Sequence, residues 1–233
     1  MGLFSKIKED FSNAYENDPA LNSWIDFLFN YRGVWAVVWY RISNALYKNS
    51  FKRTARLVSG FSQWLTNIEI HPGAEIGSRV FIDHGIGVVI GETAIIEDDV
   101  LIYQGVTLGG VSLEKGKRHP TIRQGAVIGA GAKVLGNIEI GVNAKIGANS
   151  VVIKPVPDEA TAVGIPANVI EKGRCKDPLM HNKLPDINKE MFEYLLRRVA
   201  VLEHILNEDH KELLKQDLEL EHIYESFIKA MRS

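Results

Sequence analysis

Cysteine is nearly missing from the chain: Cys175 is the only one among 233 residues, so no intramolecular disulfide framework can form, and a reducing compartment suits it. No histidine-bearing motif surrounds Cys175, so it reads as an incidental thiol in a linker and not as a nucleophile. An excess of either charge is also lacking. Lys+Arg 27 against Asp+Glu 29 leaves a net charge of -2, which excludes a broad cationic nucleic-acid surface. Long apolar runs are absent too. The most apolar run, Val34 to Tyr40, lies between Arg32 and Arg41 and is far too short to span a bilayer. Lys6, Lys8, Glu9 and Asp10 break up the first eleven residues, so no signal-peptide core is visible. The expectation is a cytoplasmic protein without membrane contact.

What is present is expected to divide into three regions: an α-helical domain over residues 1–66, a coil of short repeats over 67–170, and a linker with a helical tail over 171–233. In the first, Phe4, Ile7, Phe11 and Ala14 share a helical face. So do Leu21, Trp24, Ile25 and Leu28, then Val34, Trp35, Val38, Trp39 and Ile42. Asp18-Pro19 reads as a helix N-cap followed by proline at the first helical position. Leu57, Phe61, Trp64 and Leu65 mark a last helix, and with all four tryptophans in this region its packing should be extensive.

From about Ile68 the period becomes six. Large aliphatics stand at Ile70, Ile76 and Ile82, then at Ile90, Ile96, Ile102 and Leu108, and again at Ile122, Ile128, Val134, Ile140, Ile146 and Val152. Small or β-branched residues follow four later: Ala74, Val80, Ile86, Ala94, Val100, Val106, Ala126, Ala132, Ile138, Ala144, Ser150 and Val156. A helix would give a period of 3.6 and an ordinary strand a period of two. A six-residue step instead supplies one short strand and one corner per hexad, so that three hexads close a triangular coil with its aliphatics stacked inside.

Two interruptions break the count, and each carries a histidine. The step from Ile82 to Ile90 holds Asp83-His84-Gly85. The step from Leu108 to Ile122 holds Gly109 to Pro120, including Lys117-Arg118-His119-Pro120, and reads as a loop extruded from a corner. Loops projecting from a rigid scaffold are where sites usually lie. Histidine suits proton abstraction from a hydroxyl near neutral pH. His71 beside Pro72 reads as structural, and His181, His204, His210 and His222 as solvated residues of the linker and tail. Pro155, Pro157 and Gly164-Ile165-Pro166-Ala167 read as the end of the coil. In the tail, Phe192, Leu195, Val199, Leu202 and Leu206 form a short heptad seam, and Leu220, Tyr224, Phe227 and Met231 repeat its spacing. Such a helix either packs on its own coil or pairs with other subunits.

The segments Glu69-Ile70-His71-Pro72-Gly73-Ala74, Ile82-Asp83-His84-Gly85 and Val89-Ile90-Gly91-Glu92-Thr93-Ala94 resemble the serine acetyltransferase family. So do Gln104 to Gly110, Gly116-Lys117-Arg118-His119-Pro120 and Gly164-Ile165-Pro166-Ala167. The resemblance runs from about Ile68 to Val169 and reaches back to Asp18-Pro19-Ala20 and Tyr40-Arg41-Ile42. It implies an α+β protein in which an N-terminal helical domain precedes a left-handed parallel β-helix. It implies acetyl transfer from acetyl-CoA, as co-substrate, to the hydroxyl of L-serine. The family's catalytic histidine falls on His84 and its partner carboxylate on Glu69, where many members carry aspartate. Its serine-binding positions fall on Asp18, Asp83, Arg118 and His119, and the CoA arm on Gly110, Ala130 and Gly131. Read without the resemblance, Asp18 is explained by its helix cap, Glu69 by a solvated charge, and the small residues by hexad corners.

The resemblance further implies a homotrimer with no metal. Longer members pair two trimers through N-terminal helices, but the helical region here is shorter. The family's sulfhydrylase partner docks a tail ending in isoleucine. This sequence ends Met231-Arg232-Ser233, so the expected complex is weak or absent. Two rival chemistries fit the same scaffold. One is acetylation of a sugar or amino-sugar hydroxyl, against which Arg118 and Asp83 favour a zwitterionic acceptor. The other is a zinc lyase of the carbonic anhydrase kind, for which His71, His84 and His119 would supply the imidazoles. A silent scaffold offering its helical tail to partners is a third reading, disfavoured by the intact dyad positions.

Overall fold

A computed structural model describes residues 6–10, 31–170, 192, 194–199 and 202. The chain divides into two units, residues 1–183 and 184–233. In the second, the described residues are helical, and Phe192, Leu195, Val199 and Leu202 of the seam are exposed.

In the first unit, helix α1 (Arg32–Lys48) and helix α2 (Lys52–Thr66) precede fifteen short strands numbered in chain order. The strands stack into three sheets, which are the faces of a triangular prism. The first face is β1 (Glu69–Ile70), β4 (Val89–Ile90), β7 (Thr107–Gly109), β10 (Lys133–Leu135) and β13 (Val151–Val152). The second is β2 (Glu75–Ile76), β5 (Ile95–Ile96), β8 (Thr121–Ile122) and β11 (Glu139–Ile140). The third holds β3 (Phe81–Ile82), β6 (Leu101–Ile102), β9 (Val127–Ile128), β12 (Lys145–Ile146) and β14 (Thr161–Gly164). Neighbours on a face pair in parallel, with Ile70 on Ile90, Ile76 on Ile96 and Ile82 on Ile102. The coil ends where β14 turns back antiparallel into β15 (Ala167–Ile170).

The predicted aliphatics line the interior, most with no measurable exposure. Each fully buried isoleucine contributes about 1.5–3 kcal/mol. One predicted position shifts. Ile86 is exposed and Val88 takes the inward place, because the chain spends two extra residues on the corner before resuming its period.

The three edges of the prism are built differently. Between the third and first faces, Asn67, Gly87, Gly105, Gly131 and Asn149 all have positive φ and are stacked by bonds such as Gly105 N–H to Ile86 O, 2.9 Å. Between the second and third, Arg79, Asp99, Gly125, Asn143 and Glu159 do the same. The edge between the first and second faces carries His71-Pro72-Gly73 and Gly91-Glu92-Thr93, with no left-handed residue among them. It is there that the long loop leaves the prism.

The helices cap the first coil. α1 lies so close that a Cβ on Gly33 would sit 1.9 Å from Ile82 O. The Tyr40 hydroxyl donates to Ala74 O (2.7 Å) and accepts from Ile76 N–H (3.1 Å). Buried Arg41 donates to Ile76 O (2.5 Å), Gly77 O and Asp10 (3.1 Å). α2 docks through Ala55, Ser59, Ser62 and Thr66, with Ser59 Oγ donating to Ile70 O (2.8 Å). This corrects the expected apolar packing of α2. Leu57, Phe61, Trp64 and Leu65 face outward, Trp64 at 79% exposure, because the helix approaches the coil through its small side chains.

Candidate active site

Two edges of the prism carry the predicted site residues. On the edge between the third and first faces, the two inserted residues force a bulge. His84 (φ 56°) and Gly85 (φ 59°) are successive left-handed residues. A Cβ on Gly85 would meet Ile68 Cδ1 at 2.4 Å, so only glycine satisfies both the φ and the space. The bulge is held by Val88 N–H to Gly85 O (3.0 Å) and Gly87 N–H to Asn67 O (2.9 Å). It turns the His84 side chain outward at 76% exposure, with Nε2 3.8 Å from Asp83 Oδ1. Glu69 lies beside the same edge, two residues past Asn67, paired in register with Val89. In the single chain its carboxylate accepts from Gln63 Nε2 (3.2 Å), and no hydrogen bond joins it to His84. Ala130 and Gly131 lie further along this edge.

The edge between the first and second faces holds the other group. Residues 111–117 of the loop are exposed, whereas Arg118 is half-buried and His119 buried at 8% exposure. The His119 ring lies flat against the backbone: a Cβ on Gly91 would fall 2.0 Å from its Nε2 and Cδ2, and one on Gly110 3.3 Å from Nε2. Its Nδ1 faces Thr93 Oγ1 (2.9 Å) and Thr93 N–H (3.2 Å). Burial, then the cations Arg118 and Lys117, hold its pKa below the usual histidine value. Arg118 donates to Glu92 Oε2 at 2.5 Å, and this contact holds the Glu92 carboxyl below its ordinary range. Glu92 Oε1 also accepts from the Tyr47 hydroxyl of α1 (3.4 Å).

The predicted residues therefore fall into two sets. Glu69, Asp83 and His84 share one edge with Ala130 and Gly131, while Gly110, Arg118 and His119 share the next. About six residues of extended chain separate the edges, on the order of 20 Å. Asp18 and Cys175 lie outside the described residues, as do His181, His204, His210 and His222. His71 spends its Nδ1 on Gly73 N–H (2.9 Å) and stacks edge-on with Tyr47. Among the described residues, no group of three or more His, Cys, Asp or Glu could hold a metal ion, and no helix is long and apolar enough to cross a membrane.

Sequence reasoning gave no role to Glu92, Thr93 or Lys117. A signal for Thr93 was present. Three residues after the aliphatic, most hexads carry glycine, asparagine or aspartate: Gly73, Gly85, Asp99, Gly105, Gly125, Gly131, Asn137, Asn143 and Asn149. Thr93 breaks that rule with a β-branched residue, as Val111 does in the loop, while Arg79 and Pro155 are the other departures.

Comparison with known proteins identifies the family. The family described as bacterial transferase hexapeptide (six repeats) matches residues 119–154. A serine acetyltransferase of Synechococcus elongatus is 49% identical over 202 residues, covering 86% of this chain and 83% of that protein. The serine acetyltransferase of Bacillus subtilis is 48% identical over 216 residues, 92% and 99% of the two chains. A serine acetyltransferase structure in complex with cysteine superposes with a TM-score of 0.73 at 42% identity, covering 79% of this chain and 72% of that one. Another, in complex with CoA, gives 0.68 at 45% identity, covering 72% and 70%. The prism is thus a left-handed parallel β-helix behind an N-terminal helical region, and the chain belongs to the serine acetyltransferase family.

Proposed function

We propose that this chain transfers the acetyl group of acetyl-CoA to the hydroxyl of L-serine, giving O-acetyl-L-serine and CoA for cysteine biosynthesis, with His84 as general base. Near-complete coverage at 48% identity to a serine acetyltransferase carries the reaction. The two-residue bulge that holds His84 outward supports its role, because a base must reach a hydroxyl that the prism itself cannot enclose. His84 takes the serine proton as the oxygen attacks the thioester carbonyl. When the tetrahedral adduct collapses, the C–S bond breaks and the imidazolium returns the proton to the CoA sulfur. Glu69, oriented on His84 in the working assembly, would favour that imidazolium.

Arg118 suits the substrate carboxylate, Asp83 and Asp18 its ammonium, and His119 with the Gly109-Gly110 backbone the oxyanion. Gly110, Ala130 and Gly131 would let the CoA arm lie against the backbone. In this reading residues 1–66 are the helical domain, 67–170 the catalytic coil, and 171–233 the linker and tail.

One serine cannot touch two edges of the same prism. The separation of His84 from Arg118 and His119 therefore supports a homotrimer in which one chain's base faces its neighbour's loop. Acceptor screening with acetyl-CoA tests the assignment. Acetylation of L-serine in preference to sugars and amino sugars is expected, and preference for a sugar hydroxyl would overturn it.

A further inference from the structure

We infer that Thr93 is a positioning residue that locks His119 in the Nε2–H tautomer and binds the base of the long loop to the prism. This rests on the proposed role of His119 at the reacting centre, although the lock itself is a property of the folded chain. A threonine hydroxyl has one proton to give and two lone pairs to fill. Arg118 N–H donates to Thr93 Oγ1 at 3.0 Å and His119 N–H at 3.2 Å, which uses both lone pairs. The one remaining contact of that oxygen is His119 Nδ1 at 2.9 Å, so the hydroxyl proton must lie on that line. Thr93 N–H also points at Nδ1 (3.2 Å). With two donors aimed at it, Nδ1 is an acceptor, and the single imidazole proton sits on Nε2. The third polar group of Thr93 is engaged too, since its carbonyl accepts from Lys117 Nζ at 2.7 Å.

Every polar atom of Thr93 thus grips residues 117–119, while its neighbour Glu92 holds the Arg118 guanidinium. On the far side of the ring, Nε2 has no hydrogen-bond partner among the described residues and lies at the Gly91–Gly110 floor of the loop. A neutral imidazole held in this way presents a fixed donor at no reorganisation cost when negative charge develops. Burial and the nearby cations lower its pKa and so favour the neutral ring.

The lock is read directly by 15N NMR of the full-length protein labelled at histidine, with His119→Gln used to assign the signal. Near neutral pH the wild type should show a pyridine-like Nδ1 and a pyrrole-like Nε2. Thr93→Val keeps the side-chain shape but loses the hydroxyl, leaving the backbone N–H as the one donor to Nδ1, so a measurable share of the Nδ1–H tautomer should appear. It should lower kcat/KM for L-serine by about ten- to a hundredfold, with Thr93→Ser restoring it to within a few-fold and the KM for acetyl-CoA unmoved. A wild-type Nδ1 that carries the proton overturns the inference. So does a valine variant with the wild-type tautomer, or a serine variant as impaired as the valine. If the lock holds but no serine-dependent acetylation occurs, it is the functional reading that fails.

Discussion

The two histidine-bearing interruptions of the coil solve opposite problems. An insertion of two residues leaves His84 on a left-handed bulge, 76% exposed. An insertion of eight builds a loop whose far end returns His119 to the prism surface, where it is 8% exposed and held through Nδ1. One histidine is presented to whatever approaches, while the other is finished within its own chain. The difference follows from the edges. The His84 edge is made of stacked left-handed corners with little side-chain substance, whereas the His119 edge offers Glu92 and Thr93 as anchors. In the proposed reading, a base completed by its surroundings works beside a donor completed by its own fold.

Among substitutions that leave both histidines in place, the largest expected effect comes from displacing the finished half. Gly91→Ala would drive a methyl group into the His119 ring, and kcat for L-serine should fall by about 10²–10³-fold, the usual loss for one oxyanion donor. Steady-state kinetics with a thiol reagent measure it, and a near-wild-type kcat would mean that the ring position is not used.

Subunit mixing tests whether the two histidines of one site come from different chains. His84→Ala and His119→Ala variants, each inactive alone, should recover about a quarter of wild-type activity when unfolded and reassembled in equal amounts, since a site drawing one residue from each neighbour is intact in that share of interfaces. No recovery would place both histidines of a working site on one chain.

On the exposed side, Glu69→Gln should reduce kcat by about ten- to a hundredfold, while Gln63→Ala, which removes the partner Glu69 holds in the single chain, should leave kcat intact or raise it. Equal losses from both substitutions would make the Gln63–Glu69 contact the functional one.

The smallest effect is on stability. The pKa of His119 lies below its unfolded value, so the unfolded chain gains its proton first as pH falls. The associated stability is complete above about pH 6.5 and declines as pH drops through the folded value. His71 is shifted the same way. Urea midpoints followed downward from neutral pH should therefore fall more steeply for wild type than for His119→Gln, and identical slopes would remove this term.

Much of this was legible in the residues. The period of six placed nearly every interior aliphatic, because a triangular coil allows no other arrangement of that spacing. It misplaced Ile86, since a two-residue insertion resets the inward position to Val88 and spacing alone does not say where a bulge absorbs its extra length. The outward face of α2 was misread for a related reason. Helical periodicity marks an apolar stripe, but the small face of Ala55, Ser59, Ser62 and Thr66 allowed the closer approach. His84 and His119 stood out because they interrupt a repeat. Thr93 keeps the period and departs from it only in the type of its corner residue, and the contacts 24 to 26 residues away through which it works are reported by no local pattern.

The most direct test of the central claim is CoA thiol release from acetyl-CoA by the full-length protein, with and without L-serine, for wild type and His84→Ala. Wild type should release CoA only with L-serine present, and the substitution should lower that rate by about 10²–10⁴-fold, the range expected for a general base. Release that ignores L-serine, or that survives the loss of His84, would contradict the claim.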